Sequence, residues 1–302
     1  MNTTDISSES RYTDYDPWAW LYNKSEANSA CTSLLPNIEK LLLPHLTKGA
    51  KIFDLCCGTG QLSQKLIAKG YEIVGLDGSM KMLHYARQNA PTAEFILGDA
   101  RSFELSSNVF DASICTDSAL NHIMSVEELK SVFSNVYTVL KENGLFLFDM
   151  GLENRYANIL VNDGEIQENY AWTVGETYNP EEKVGTFIIT MFQPNDNKPN
   201  RKINSISSLI RRFKRLIYNN YLRSAKPSTL LQILEKDWQS SEMVFSVKPY
   251  SKTEIQSALE EVGFTSVSIY NSNGKLADSQ ENKYAYFLGR KPSNFLNSSE
   301  KD

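Results

Sequence analysis

From Lys51 to Met150 short apolar runs alternate with helix-patterned stretches, and no other feature restricts this chain as strongly. KIFDLC (51–56), YEIVGLD (71–77), AEFILGD (93–99), FDASICT (110–116) and LFLFDM (145–150) read as buried strands. Stretches 61–69, 79–90 and 126–143 read as helices; in the last, Leu129, Val132, Phe133, Val136 and Leu140 recur at helical spacing. Short strands joined by helices need right-handed crossovers, so they lie side by side in a mostly parallel sheet.

Upstream, Trp18, Trp20, Leu21 and Tyr22, then Leu34, Leu35, Ile38, Leu41 and Leu42, predict two helices leading into that sheet. Past Met150 the rhythm breaks. Residues 167–178, 184–193 and 239–250 read as antiparallel strands and 205–223 as a helix, before a helix at 252–264 and strands at 265–271 and 283–290 restore the α/β pattern. At 302 residues the chain suits one domain with a large insertion. The expected organisation is an N-terminal helical segment (1–45), an α/β core (46–150), an insertion (151–250), completion of the core (251–292) and a disordered tail (293–302).

Parallel sheets bind ligands beyond the carboxyl ends of their strands, and here the first such end carries FDLCCGTGQLS (53–63). Gly58 and Gly60 let the backbone approach a ligand where a side chain would collide. Asp77 ends the second strand, where acids grip a ribose diol, so a nucleoside is expected. The dinucleotide fingerprint Gly-x-Gly-x-x-Gly fails at Ser63, which disfavours a nicotinamide oxidoreductase. Asp54, just before the turn, would repel a pyrophosphate and suits a ligand carrying an ammonium group. A phosphate-binding Gly-x-x-x-x-Gly-Lys-Ser/Thr loop does not occur.

These segments resemble, in order, the motifs of the class I S-adenosylmethionine-dependent methyltransferases: FDLCCGTG (53–60), VGLDGSMKML (74–83), GDARSF (98–103), FDASICTDSALNHI (110–123) and LKENGLFLFDM (140–150). Two adjacent cysteines, with Cys56 where glycine is common, are similar to the small-molecule branch that includes glycine/sarcosine N-methyltransferase-like proteins. The resemblance implies an α/β, Rossmann-like class I sheet, mostly parallel with an antiparallel last strand, plus an antiparallel β insertion carrying a basic helix. It implies S-adenosyl-L-methionine as cofactor, with its methionine end held by the turn of Asp54, Cys56, Cys57, Gly58 and Gly60. Asp77 would bind the ribose hydroxyls, beside Gly78, Ser79, Met80 and Met82. Asp99 would accept from the adenine amino group, flanked by Ala100 and Arg101, with Thr116, Asp117 and Ser118 near the sulfonium.

Tyr15, Trp20 and Tyr22 could touch the cofactor from a lid formed by 1–45, since aromatic faces attract sulfonium and ammonium groups. Plain packing of that segment on the sheet is the competing reading. Methyl transfer from a sulfonium is an in-line displacement, so the protein supplies alignment and excludes water. His122, after the fourth strand, is the catalytic candidate, either as a base or as a group that only positions the acceptor; imidazole titrates near neutrality. His45 and His84 are read as structural.

The acceptor expected is a small molecule, methylated on oxygen or nitrogen and walled by the insertion. A specialised metabolite is one such acceptor. A formal charge of −5 argues against a nucleic-acid partner. Between Lys198 and Lys226, however, nine Lys or Arg occur with no Asp or Glu. The amphipathic stretch 206–222 within it could serve an acidic carrier protein, a membrane surface or self-association, or simply pack with its charges solvated. Four cysteines without paired zinc spacing are read as reduced thiols, and no metal is expected. The lack of a run of about 20 apolar residues, and of a signal-like start, predicts a soluble cytoplasmic protein.

Overall fold

The computed structural model describes residues 15–156, 162–167, 169–194, 238–277 and 283–293. The chain divides into two compact units, one of residues 1–156 with 248–302 and one of residues 157–247.

The first unit is a seven-stranded sheet of order β10-β11-β5-β4-β1-β2-β3. Its strands are β1 (Lys51–Leu55), β2 (Glu72–Asp77), β3 (Glu94–Leu97), β4 (Phe110–Cys115), β5 (Leu140–Gly151), β10 (Thr265–Asn271) and β11 (Tyr284–Arg290). β1, β2, β3, β4 and β5 pair in parallel, and β11 runs antiparallel to both β5 and β10. This is the mostly parallel class I sheet with its antiparallel last strand.

Helices cover both faces, because the strands between them are apolar on both sides. On one face α1 (Ala27–Leu41) and α2 (Gln61–Ala68) bury Cys31, Leu34, Ile38, Leu62 and Leu66 against Ile52, Ile73, Ile114 and Leu147. On the other, α4 (Val126–Val139) and α6 (Lys252–Val262) bury Val132, Phe133, Val136, Ile255 and Leu259 against Phe53, Phe146, Phe148 and Phe287. The rings of Phe148 and Phe287 stack at 5.2 Å, and those of Phe146 and Phe148 lie 4.7 Å apart. The remaining helices are α3 (Met80–Asn89), capped by the Ser79 side chain, and the short α5 (Glu153–Tyr156).

Two expectations change. The region before β1 is one helical run rather than two helices: Ala19–Leu21, a π-helical turn over Tyr22–Glu26, then α1. α4 stops at Val139 instead of reaching residue 143. Leu140 adopts extended backbone and pairs with Phe110, while the Lys291 ammonium takes the carbonyls of Tyr137 and Leu140, both at 2.8 Å. A buried cation on the last carbonyls of a helix ends it as a cap does.

The second unit is an antiparallel sheet of order β6-β7-β8-β9, formed by β6 (Asn162–Ile166), β7 (Ala171–Asn179), β8 (Val184–Pro194) and β9 (Trp238–Val247). β6 was not anticipated, because its short polar run lacks strand periodicity. Ile189 pairs with Met243 on a buried face, and Ile188 pairs with Val244 on the opposite, exposed one. The basic stretch 206–222, the helix expected at 205–223, and nearly all of the 293–302 tail lie outside the described residues. Among the described residues no helix is long and apolar enough to cross a membrane.

The stacked phenylalanines predict a specific cost. Phe148→Ala should lower unfolding free energy by about 3–5 kcal/mol in chemical denaturation, through lost transfer energy and the cavity left behind.

Candidate active site

The site is built at the carboxyl tips of β1, β2, β4 and β5. After Leu55 the chain turns through Cys56, Cys57, Gly58, Thr59 and Gly60 into α2, with Cys56, Gly58 and Gly60 all left-handed (φ 57°, 54° and 80°). A left-handed Cys56 accounts for glycine being the easier residue at that position. A Cβ on Gly60 would fall 2.9 Å from the Ala86 Cα, so the turn passes directly against α3.

Asp77 joins two of these tips. Its Oδ2 accepts the Gly58 N–H at 2.8 Å and its Oδ1 the Ser79 N–H at 2.9 Å. Each oxygen keeps a further lone pair, as a vicinal diol requires. Burial raises the proton affinity of this carboxyl, and the backbone N–H groups partly offset that. Gly78 and Ser79 complete the turn.

Asp54 lies behind the glycine turn, not on its surface: it is 2 % exposed, and the Ser63 hydroxyl donates to its Oδ2. The serine that breaks the dinucleotide fingerprint is thus the partner of this acid. Burial pushes Asp54 up to about 7, against the lowering effect of that hydroxyl.

The N-terminal segment is fastened over the turn. Tyr22 brings its ring to 3.6 Å from the position of a Gly58 Cβ, and its hydroxyl donates to Asp117 Oδ2 at 2.8 Å. Asp16 Oδ1 accepts from the Ser79 hydroxyl at 2.6 Å and the Lys81 N–H at 3.2 Å. Asn23 Oδ1 accepts from Gln61 (2.8 Å) and Asn89 (2.7 Å), and Thr59 donates to Gln61 at 2.6 Å. The π-helical turn supplies both Tyr22 and Asn23, in keeping with the habit of such turns to occur at functional sites.

Beyond β4 the chain makes two consecutive left-handed residues, Asp117 (φ 62°) and Ser118 (φ 55°). Asp149, near the end of β5, holds that bend: its Oδ2 accepts the Ser118 N–H at 3.0 Å and hydroxyl at 3.1 Å. A 3₁₀ turn follows (Ala119–His122), anchored by the fully buried Asn121, whose amide bonds Gly151 and Lys248. His122 is thereby held where its Nε2 lies 2.7 Å from the Tyr15 hydroxyl, with the rings edge to face at 5.5 Å.

Asp77 and Tyr22 keep partial access to solvent, and Asp117 is exposed, yet surrounding protein raises the proton affinity of each through desolvation. Accessible but crowded groups are those on the wall of a concavity. Among the described residues no cluster of side chains could hold a metal ion.

The remaining candidates differ in exposure and in the partners they already hold. Asp99 gives both carboxylate oxygens to Arg101, whose guanidinium also reaches Glu128 at 2.8 Å, so an adenine amino group would share an oxygen already engaged. Ala100 uses its carbonyl on Asn135. Met80 is 64 % exposed, Met82 is buried on the inner face of α3, and Trp20 and Thr116 are half-buried. Cys57 is buried beside Gly75, and its thiol is pushed well up by burial. Asp16, Asn23, Gln61, Asn89 and Asp149 escaped the sequence reading. Only Asp149 left a signal, as another acid near the tip of a parallel strand.

Residues 52–144 match the methyltransferase domain family. The chain is 31% identical over 134 residues to a putative methyltransferase, YqeM, of Bacillus subtilis, covering 42% of this chain and 54% of that protein. It is 29% identical over 139 residues to a glycine/sarcosine N-methyltransferase of Aphanothece halophytica, covering 44% and 51%. These alignments span about half the length of the relatives. A solved S-adenosylmethionine-dependent methyltransferase from Clostridium acetobutylicum superposes with a TM-score of 0.66 at 16% identity, over 92% of this chain and 99% of that one.

Asp54 and Asp149 are both pushed up to about 7 by burial, so the folded state retains protons that the unfolded chain releases near pH 4. Their contribution is full below pH 4 and is lost as pH rises through 7. Asp54→Asn, which keeps an acceptor for Ser63, should therefore gain stability relative to the parent between pH 5 and pH 8. The expected gain, on the order of 2 kcal/mol, is measurable by urea titration at each pH.

Proposed function

From a chain whose core is a class I S-adenosylmethionine-dependent methyltransferase fold, we propose a methyltransferase that transfers a methyl group to an oxygen or nitrogen of a small molecule. The observation that carries this reading is Asp77, fastened by the Gly58 and Ser79 amides with lone pairs left for a diol. With a ribose held there, the glycine turn on β1, between β2 and β4, would hold the methionine end of the cofactor.

S-adenosyl-L-methionine fits this donor set. Asp77 offers acceptors to the ribose diol, and Tyr22 lies against the glycine turn where an aromatic face attracts a sulfonium or an ammonium. The cofactor supplies the electrophilic methyl group. The protein holds the adenosine, orients the acceptor and keeps water out.

Tyr15 and His122 face each other across the N-terminal segment and the turn after β4, and we assign them to the acceptor. His122 takes the proton that an alcohol or ammonium must lose, and Tyr15 fixes the ring for it. Four free thiols agree with a cytoplasmic setting.

Calorimetric titration with S-adenosyl-L-methionine tests the reading. Micromolar binding is expected, and no binding up to millimolar cofactor would end the proposal. Asp77→Ala should weaken binding at least tenfold, by removing acceptors for the diol. With an acceptor in hand, His122→Asn should lower kcat by about 10²–10⁴ and remove the acidic limb of its pH dependence, where protonation of the imidazole disables the base. If that limb is unchanged, His122 only positions the acceptor.

A further inference from the structure

Two acids at the tips of β4 and β5, the exposed Asp117 and the buried Asp149, have no part in the mechanism above. Asp149 is 4 % exposed; its Oδ2 is taken by Ser118, and its Oδ1 is buried without a hydrogen-bond partner. Asp117 faces the concavity with one side-chain bond, from the Tyr22 hydroxyl to Oδ2. Neither carboxylate forms an ion pair with a described Lys, Arg or His. A buried acid such as Asp149 is ordinarily neutralised by a cation or kept protonated.

Position decides which cation is missing. The sheet order places β4 and then β5 on the side of β1 opposite β2, so this pair lies away from the ribose end of the cofactor site. Asp149 grips Ser118, which keeps the left-handed bend at 117–118 and holds Asp117 in the concavity.

We propose that Asp117, supported by Asp149, docks the acceptor as a protonated amine, so that the substrate class is a small alkylammonium compound methylated on nitrogen. This rests on the methyltransferase reading. In the step itself the ammonium gives one proton to His122, its freed lone pair forms the new N–CH₃ bond, and the S–CH₃ bond breaks to leave a neutral thioether. Asp117 is the contact to substrate and Asp149 a positioning residue.

The test uses the full chain saturated with S-adenosylhomocysteine, which occupies the cofactor's own ammonium position. Ethylammonium is titrated by ligand-observed NMR, with ethanol and acetate as neutral and anionic controls. Ethylammonium alone should bind. Asp117→Asn should abolish that binding and Asp149→Asn should weaken it tenfold or more. Wild-type affinity for ethylammonium should rise between pH 6 and 8 as Asp149, pushed up to about 7 by burial, loses its proton. The other titratable groups that face the pair are Tyr22 and Tyr286, both raised by burial and neighbouring acids, Tyr286 to about 12, and Cys115, raised by its hydrogen bond with Cys56 and by burial. This pH series still decides the matter if Asp149→Asn does not fold.

Equal binding of ethanol, a flat pH series, or ethylammonium that binds the cofactor-free protein but not the S-adenosylhomocysteine complex would overturn the proposal. The last result would assign the acids to the cofactor's ammonium group. Each of these leaves the methyltransferase reading intact, whereas a protein that binds no cofactor at all fails that reading first.

Discussion

Two backbone amides on different strand-helix connections converge on the carboxylate of Asp77, and the rest of the site takes its position from that convergence. The Gly58 amide can reach it because the glycine turn is left-handed, and the Ser79 amide because α3 starts there. A neutral isostere would keep one bond without its charge assistance and lose the other outright, because its amide nitrogen would face a backbone N–H donor. The carboxylate thus serves first as a structural rivet between β1 and β2, and its remaining lone pairs are preorganised for a ligand as a result.

Much of this was legible in the residues. The strand-helix alternation marked the layers, and the acids ending successive strands marked the ligand edge, because both follow from local periodicity and from the geometry of parallel sheets. What was not legible depended on contacts distant in sequence. The early stop of α4 needs Lys291, some 150 residues downstream, to reach the carbonyls of Tyr137 and Leu140. The joining of two predicted N-terminal helices needs a π-helical turn, which has no sequence signature of its own.

The site shows the same division. Asp77, Gly58 and Gly60 were readable from spacing alone. Asp54 was read as facing a ligand, yet the structure turns it to Ser63, because alternation along β1 sends that side chain toward α2. The pairing of Tyr15 with His122 spans 107 positions and could be seen only once the N-terminal segment was folded over the strand tips. Asp16, Asn23 and Gln61 are ordinary polar residues whose importance comes from where the fold brings them.

The threading of β11 has a consequence for biosynthesis. This strand lies between β5 and β10 with hydrogen bonds on both edges, although it is made long after β5. While the polypeptide is still emerging from the ribosome, β5 therefore exposes an edge of unpaired backbone N–H and C=O groups. Closure must wait for residues 284–290, and until then the nascent molecule depends on chaperones or speed to avoid pairing with a neighbour.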